Sequence, residues 1–313
     1  MLANTVTAVV ALTALSISSA YAAPAARVLT QILPTAKQYP NEAAAIDSLK
    51  ADGFRVQYNN YDGLGLNNAD GLRLVSDNTF NIVSVQIGTA ARDDAFLEGL
   101  DLIGVSTDME GLKSSVDAYR EVFDDRLRDR FGATVLALWP FGPQIFYCNA
   151  EVKNVDDLAN LKVRSFTPSM SALLKYLDAS PVSLNFGEVY PALQRRVADC
   201  GVTSPTSGNS GKWPEVTTHQ IPLSVSGSVQ GIFANLGWWN KLTEEEQAQV
   251  REAYSKLEAQ QWELATEIND DALACNTGQD SCSEGQKFSM TLVPVSDDDI
   301  NRIQQAATKL LSS

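Results

Sequence analysis

Arg164 lies within Leu161-Lys162-Val163-Arg164-Ser165-Phe166, a run whose period-two alternation predicts a half-buried strand. Leu161, Val163 and Ser165 share one face, and Lys162, Arg164 and Phe166 share the other. A guanidinium near a strand tip is anion chemistry: its planar fork of N–H donors matches a carboxylate bidentately, and α/β sheets place ligand sites at strand ends. The bland alternative is a pair of solvated charges on an open sheet face. Little else in the chain points to catalysis. There is one histidine, His219, and no G-x-S-x-G elbow that would activate a nucleophile. Neither a P-loop nor a G-x-G-x-x-G follows a predicted strand. The triplet Asp297-Asp298-Asp299 opens a predicted helix, where the dipole accounts for it.

The elements around Arg164 are regular. Val155 to Asn160 reads as one helical turn before the strand. Thr167-Pro168-Ser169 is a turn with a capping hydroxyl, and residues 170–178 form a helix with Leu173, Leu174 and Leu177 at helical spacing. Residues 180–186 alternate as a strand. Residues 187–193 open a second helix, with Pro191 tolerated in its first turn and Tyr190, Leu193 and Val197 as its buried stripe. Residues 199–203 close the unit as a strand.

The order of these pieces resembles the solute-binding proteins of TRAP (tripartite ATP-independent periplasmic) transporters, the DctP-like family. The resemblance is carried by Asp157-Leu158, Leu161-Lys162-Val163-Arg164, Ser180-Pro181-Val182, Phe186-Gly187-Glu188-Val189-Tyr190-Pro191-Ala192-Leu193-Gln194 and Val197-Ala198-Asp199. It continues through Trp238-Trp239-Asn240-Lys241-Leu242-Thr243-Glu244-Glu245-Glu246-Gln247. It implies an α/β, two-lobed periplasmic binding protein fold with a long helix spanning both lobes. Residues 23–142 would form lobe I, with 226–250 returning to it. Residues 143–225 would form lobe II, with parts of 275–313, and residues 243–274 the long lobe-spanning helix.

The resemblance also implies a function: capture of a small organic acid between lobes that close on it, and delivery to TRAP membrane subunits, with no cofactor, no metal and no catalysis. Arg164 would hold the carboxylate, and Phe186 would pack on the ligand beside it. Gln144 stands where sialate-binding members carry a second arginine, and Thr203 where they carry an asparagine; both departures argue against sialic acid. Trp139 and Trp213 are candidates for a lid or wall. Arg196 and Cys200 replace frequent glycines, which implies a different local backbone. The alternatives are a periplasmic sensor that presents ligand to a receptor, and a secreted enzyme acting on an organic acid.

Bulk properties agree with a soluble exported receptor. A length of 313 residues suits one large or two medium domains, and a net charge of −14 without a basic cluster argues against nucleic acid. Residues 1–22 carry no charge, contain a short apolar run and end in Ala20-Tyr21-Ala22, a small-x-small pattern. We read them as a signal peptide cleaved near Ala22, which places the chain in the periplasm; a membrane anchor is the alternative, but the run is too short to span. An exported chain meets an oxidising compartment, so the four cysteines gain a meaning. Cys275 and Cys282 flank a polar loop that a disulfide would close at a gain of roughly 2.5 kcal/mol in loop entropy. Cys148 and Cys200 remain as a second pair on two predicted strands. Zinc is the rival, but His219 lies at no ligand spacing.

Elsewhere, residues 27–33, 54–58 and 81–87 read as strands and residues 42–50 and 66–76 as helices, which predicts a largely parallel, doubly wound sheet, and the loop over 34–40 after the first strand is placed within reach of a ligand. Residues 106–130 form a charged helix and 133–139 a strand. Pro140-Phe141-Gly142-Pro143 marks the first crossing between lobes, and 144–149 resume as strand. Residues 204–212 read as a loop, and 221–225 and 231–236 as strands returning to the first lobe. A capping box at Thr243 and Glu246 opens a helix of about thirty residues bearing Val250, Tyr254 and Leu257. A strand over 288–295 and a helix over 297–311, capped by Ser296, end the chain.

Overall fold

Short β-branched runs separated by capped amphipathic helices give two sheets, each covered by helices. The computed structural model describes residues 24–312; the expected signal peptide, residues 1–22, lies outside the described residues. The strands are β1 (Ala25–Thr30), β2 (Arg55–Asn60), β3 (Ile82–Gln86), β4 (Ala133–Pro140), β5 (Ile145–Cys148), β6 (Lys162–Ser165), β7 (Ser180–Ser183), β8 (Cys200–Thr203), β9 (His219–Ile221), β10 (Val229–Asn235) and β11 (Thr291–Leu292). Among the described residues they assemble as a five-stranded sheet, β2-β1-β3-β10-β4, and a six-stranded sheet, β11-β9-β5-β8-β6-β7.

The expected largely parallel sheet is corrected to two mixed ones. In the first sheet β1 runs parallel to β2 and β3, but β10 lies antiparallel between β3 and β4. In the second, β5 lies antiparallel between β8 and β9. Each reversed strand is the one entered directly from the other sheet, without the helical crossover that a parallel connection needs. Residues 221–225 were expected to return to the first sheet; Ile221 instead ends β9, beside β5 in the second sheet, and β10 alone makes the return.

Local corrections have local causes. The helix expected over 66–76 is instead a 3-10 turn, Asn68–Asp70, opened by Asn67 accepting from Ala69 N, followed by a helix, Gly71–Ser76. The loop expected over 204–212 is a helix, Pro205–Ser210, capped by the Ser204 hydroxyl with Pro205 at its start. In the helix Phe186–Gln194 the buried face is Val189, Ala192 and Leu193, while Val197 falls beyond the helix and is exposed. The late strand shrinks to β11. Arg196 does take a left-handed φ of 57°, the backbone that a glycine there would favour.

The chain crosses between sheets at 141–144 and 222–228, and the two crossings pair with each other. Phe141 N donates to Ser228 O (2.8 Å), Gln144 N to Ser226 O (2.9 Å) and Val225 N to Gln144 O (3.0 Å). Gly142 has φ 113°, and a Cβ there would lie 2.1 Å from Asn269 Nδ2. Asn269 sits on the helix Glu244–Asn276, which opens with the expected Thr243/Glu246 capping box and runs 33 residues, roughly 50 Å. It donates to Phe141 O (3.0 Å) and accepts from Thr206 N (3.2 Å), fastening the paired crossings to the helix. Val250, Tyr254 and Leu257 of that helix pack into the first sheet's core, and Asn276 at its far end donates to Tyr147 OH of β5 (2.9 Å). Both expected disulfides are present: Cys148–Cys200 joins facing residues of β5 and β8, and Cys275–Cys282 closes the loop after the long helix.

The helix Tyr39–Ala51 starts earlier than the expected residue 42, with Pro40 in its first turn. It buries Glu42, 2% exposed, against the first sheet and the long helix. Burial pushes the Glu42 carboxyl from 4.5 up to about 7, against a smaller opposing pull from Thr30 and Tyr58. The folded chain thus keeps a proton on Glu42 that the unfolded chain releases, so the contribution of Glu42 to stability is fully present below about pH 4.5 and is lost as pH rises through about 7. Glu42→Gln removes that dependence. We expect it to be more stable than the parent by about 3 kcal/mol at pH 8 and close to equal at pH 5, read from urea midpoints at both pH values; equal midpoints at pH 8 would refute the assignment.

Candidate functional site

The carboxyl ends of β1, β3, β6, β7 and β8 open onto one cavity of about 420 Å³ between the two sheets, within the range of small-molecule sites. Arg164 lies at its second-sheet wall, 4% exposed. Its position follows from the register: Tyr147 of β5, Gly201 of β8, Arg164 of β6 and Val182 of β7 form one row across the sheet. Gly201 leaves room in that row, since a Cβ there would come within 2.8 Å of the Trp213 ring. Trp213 fills the space, edge-on to Tyr147 (centroids 5.6 Å) and stacked on Phe186 (5.4 Å), with the Arg164 guanidinium 5.7 Å from its ring. Phe166 provides a second ring 4.8 Å from the guanidinium.

The guanidinium is anchored by the strands on either side of its own. Nε donates to Leu184 O (3.1 Å) and Nη1 to Val202 O (2.8 Å). Of the five N–H groups that an arginine carries, the remainder are free for a ligand. Among the described residues no carboxylate pairs with Arg164, and no aspartate or glutamate lines the cavity. Burial alone lowers the guanidinium from its ordinary value to about 9. A cation held out of water with no counter-ion lacks the partner that a buried charge needs.

Of the residues expected from sequence, Arg164, Gln144, Phe186 and Thr203 all line the cavity. Gln144 stands at the crossing and donates through Nε2 to Gly142 O (2.8 Å). Trp139 and Trp213, expected as lid or wall, stand one layer behind it, each 1% exposed. Trp139 backs Phe141, which does line the cavity (centroids 5.0 Å), and Trp213 backs Phe186. Of the first-sheet wall only the loop over 34–40 was expected within reach of a ligand, and its Thr35, Ala36 and Gln38 do line the cavity. Gln31 and Gln38 after β1, Gln86 at the end of β3, and Ser228 at the second crossing line it, together with Arg92, exposed at the mouth. No pattern in the sequence distinguishes these amides from ordinary strand-end polar residues.

Comparison with known proteins gives the arrangement a context. The family model described as "Bacterial extracellular solute-binding protein, family 7" (DctP) matches residues 108–313. The ectoine-binding periplasmic protein TeaA of Halomonas elongata is 29% identical over 152 residues, 47% of this chain and 44% of that protein. The C4-dicarboxylate-binding periplasmic protein DctP of Rhodobacter capsulatus is 30% identical over 138 residues, 44% of this chain and 40% of that protein. The chain thus matches less than half the length of these curated relatives. Similarity of structure extends further. DctP7 of Bordetella pertussis, an extracytoplasmic solute receptor binding pyroglutamic acid, superposes with TM-score 0.84 at 18% identity, over 93% of this chain and 94% of that one. A TRAP periplasmic solute-binding protein of Pseudomonas aeruginosa with bound L-malate gives 0.80 at 15% identity, over 92% and 99%.

The layering of the aromatic wall has a measurable consequence. Trp213→Ala should cost about 3–5 kcal/mol of folding stability, as expected for a fully buried tryptophan, whereas Phe186→Ala, half-buried at the cavity, should cost under about 2 kcal/mol. Denaturant midpoints of the two variants test this; equal losses would place both rings in the same layer.

Proposed function

Because the chain belongs to the DctP family of bacterial extracellular solute-binding proteins, the TRAP transporter receptors, we propose that its cavity captures a small organic acid by its carboxylate. The observation that carries this reading is the unpaired, buried Arg164 in a cavity free of acidic side chains. A carboxylate placed against its free N–H groups would gain charge-assisted hydrogen bonds of about 1.5 to 3 kcal/mol each. Thr203 and Ser207 border the same wall and supply hydroxyl donors for the second carboxylate oxygen. The ligands named for relatives, pyroglutamate, malate and C4-dicarboxylates, support a carboxylate as the shared feature.

Capture is a hinge motion about the paired crossings at 141–144 and 222–228. Ligand bridging the two walls favours the closed arrangement, and the closed form is what the TRAP membrane subunits receive. The receptor works in the periplasm after removal of residues 1–22. Two disulfides and the absence of free cysteines among the described residues accord with that compartment.

Calorimetry on the mature chain with a panel of organic acids tests the proposal. Arg164→Ala is expected to weaken carboxylate binding by about 2 to 5 kcal/mol, while the unliganded variant still unfolds cooperatively. Binding unaltered by that substitution would remove Arg164 from the site and the carboxylate with it.

A further inference from the structure

Lys37 stands in the turn between β1 and the helix Tyr39–Ala51, and its neighbours Leu33, Thr35, Ala36 and Gln38 line the cavity. The bonds within this turn are few and local: Ala36 N donates to Leu33 O (2.9 Å) and Tyr39 N to Ala36 O (3.0 Å). A wall made of a single turn needs outside support to present one face to a ligand. Two adjacent residues receive it. Gln38 O accepts from Nε2 of Gln261, a buried side chain of the long helix Glu244–Asn276 (3.0 Å). Lys37 Nζ donates to Glu284 Oε2 (3.1 Å) and Glu284 O (3.4 Å), in the loop that follows that helix.

The loop that carries Glu284 is fastened from three sides. The Cys275–Cys282 disulfide closes it, and a Cβ on Gly285 would lie 2.9 Å from Cys275 Sγ, so the loop backbone packs on the disulfide itself. Asp271, one turn before Cys275, accepts from Ser283 N (2.6 Å), Ser283 Oγ (2.7 Å), Glu284 N (3.1 Å) and Gly285 N (3.0 Å). Gln286 N donates to Asn209 Oδ1 (3.0 Å), and Asn209 Nδ2 returns a bond to Gln286 O (2.7 Å). Asn209 sits on the helix Pro205–Ser210, whose Ser207 and Ser210 line the same cavity.

Gln261 and Asp271 belong to one unbroken helix, roughly 15 Å apart along its axis. Segment 33–38 is therefore strapped to that helix twice, directly through Gln261 and indirectly through the disulfide loop, and neither strap passes through a ligand. Resting on the reading of the cavity as the ligand site, we propose that Lys37 and Glu284 are positioning residues: their ion pair, held out by the disulfide-closed loop, fixes the cavity-lining segment 33–38 to the long helix before ligand arrives. Less binding energy then goes into ordering that wall. Both side chains are exposed, so water and salt screen the pair and its effect is small and salt-sensitive.

Hydrogen exchange of the unliganded mature chain, followed by mass spectrometry, reads the amides of 33–39 directly. Lys37→Met and Glu284→Gln should each raise exchange there by about two- to fivefold, the range of an exposed ion pair, with β1 and residues 244–261 unchanged. Exchanging the charges, Lys37→Glu together with Glu284→Lys, should bring the rate back to that of the parent, which loss of either side chain's own packing would not allow. Cys275→Ser with Cys282→Ser should raise exchange in 277–286 and, through Glu284, in 33–39; if that chain fails to fold, the two surface variants still decide. Parent-like exchange in 33–39 in either single variant would overturn the inference. So would a charge-exchanged chain as fast as the single variants, or a rise confined to 277–286 when the cysteines are replaced. Because the readout uses no ligand, failure of the carboxylate reading in calorimetry leaves the strap standing, and loss of the strap leaves Arg164 in the site.

Discussion

A guanidinium without a counter-ion, held out of water, is the constraint around which this structure is arranged. Moving a charge from water into a protein interior costs several kcal/mol unless a partner offsets it. Among the described residues, Arg164 has two backbone carbonyls, two aromatic faces and a cavity, but no carboxylate. Carbonyl dipoles and ring quadrupoles ease the charge without neutralising it. Surrounding choices follow from that arrangement. Gly201 is small so that Trp213 can lie beside the arginine, and the helix Pro205–Ser210 packs on the long helix through Thr206 and Asn269, which holds the floor of the site in place.

The same geometry ties the site to the connection between the sheets. Gln144 is at once a lining residue and part of the paired crossings, through its N–H to Ser226 O and its C=O from Val225 N. Ser228 likewise lines the cavity and hands its N–H to Asp101. A ligand touching both walls therefore also touches the segment about which the walls would move. In the proposed hinge motion this is a physical link between occupancy and closure, since a ligand shifts an equilibrium only through contacts that differ between its two states.

Much of the site was legible in the sequence because it depends on local pattern. The strand around Arg164, the cap at Thr167 and the capping box at Thr243 are short-range signals, and the structure has each of them, although β6 is buried on both faces and the helix expected from 187 begins one residue earlier, at Phe186. What was not legible depends on partners distant in the chain. Whether β5 and β10 run parallel or antiparallel is decided by which sheet the chain has just left, and no residue in either strand records it. Trp213 and Trp139 resemble wall residues by type, yet the sheet register places each one layer deeper, behind Phe186 and Phe141. Gln31 carries no signal at all: its side chain is held by Gln230, 199 residues away, which takes one of its amide hydrogens.

That last pair explains why one wall of the cavity reads easily and the other does not. Arg164 declares its chemistry by residue type, since a guanidinium can only donate. A glutamine amide can donate or accept, and only its surroundings choose. Here the choice is made in the core: Ser84 receives the Gln31 backbone N–H and the amide of the fully buried Gln230, whose carbonyl in turn accepts from the Gln31 amide. How an amide at such a cavity is turned is thus decided as much by the buried network behind it as by the residue itself.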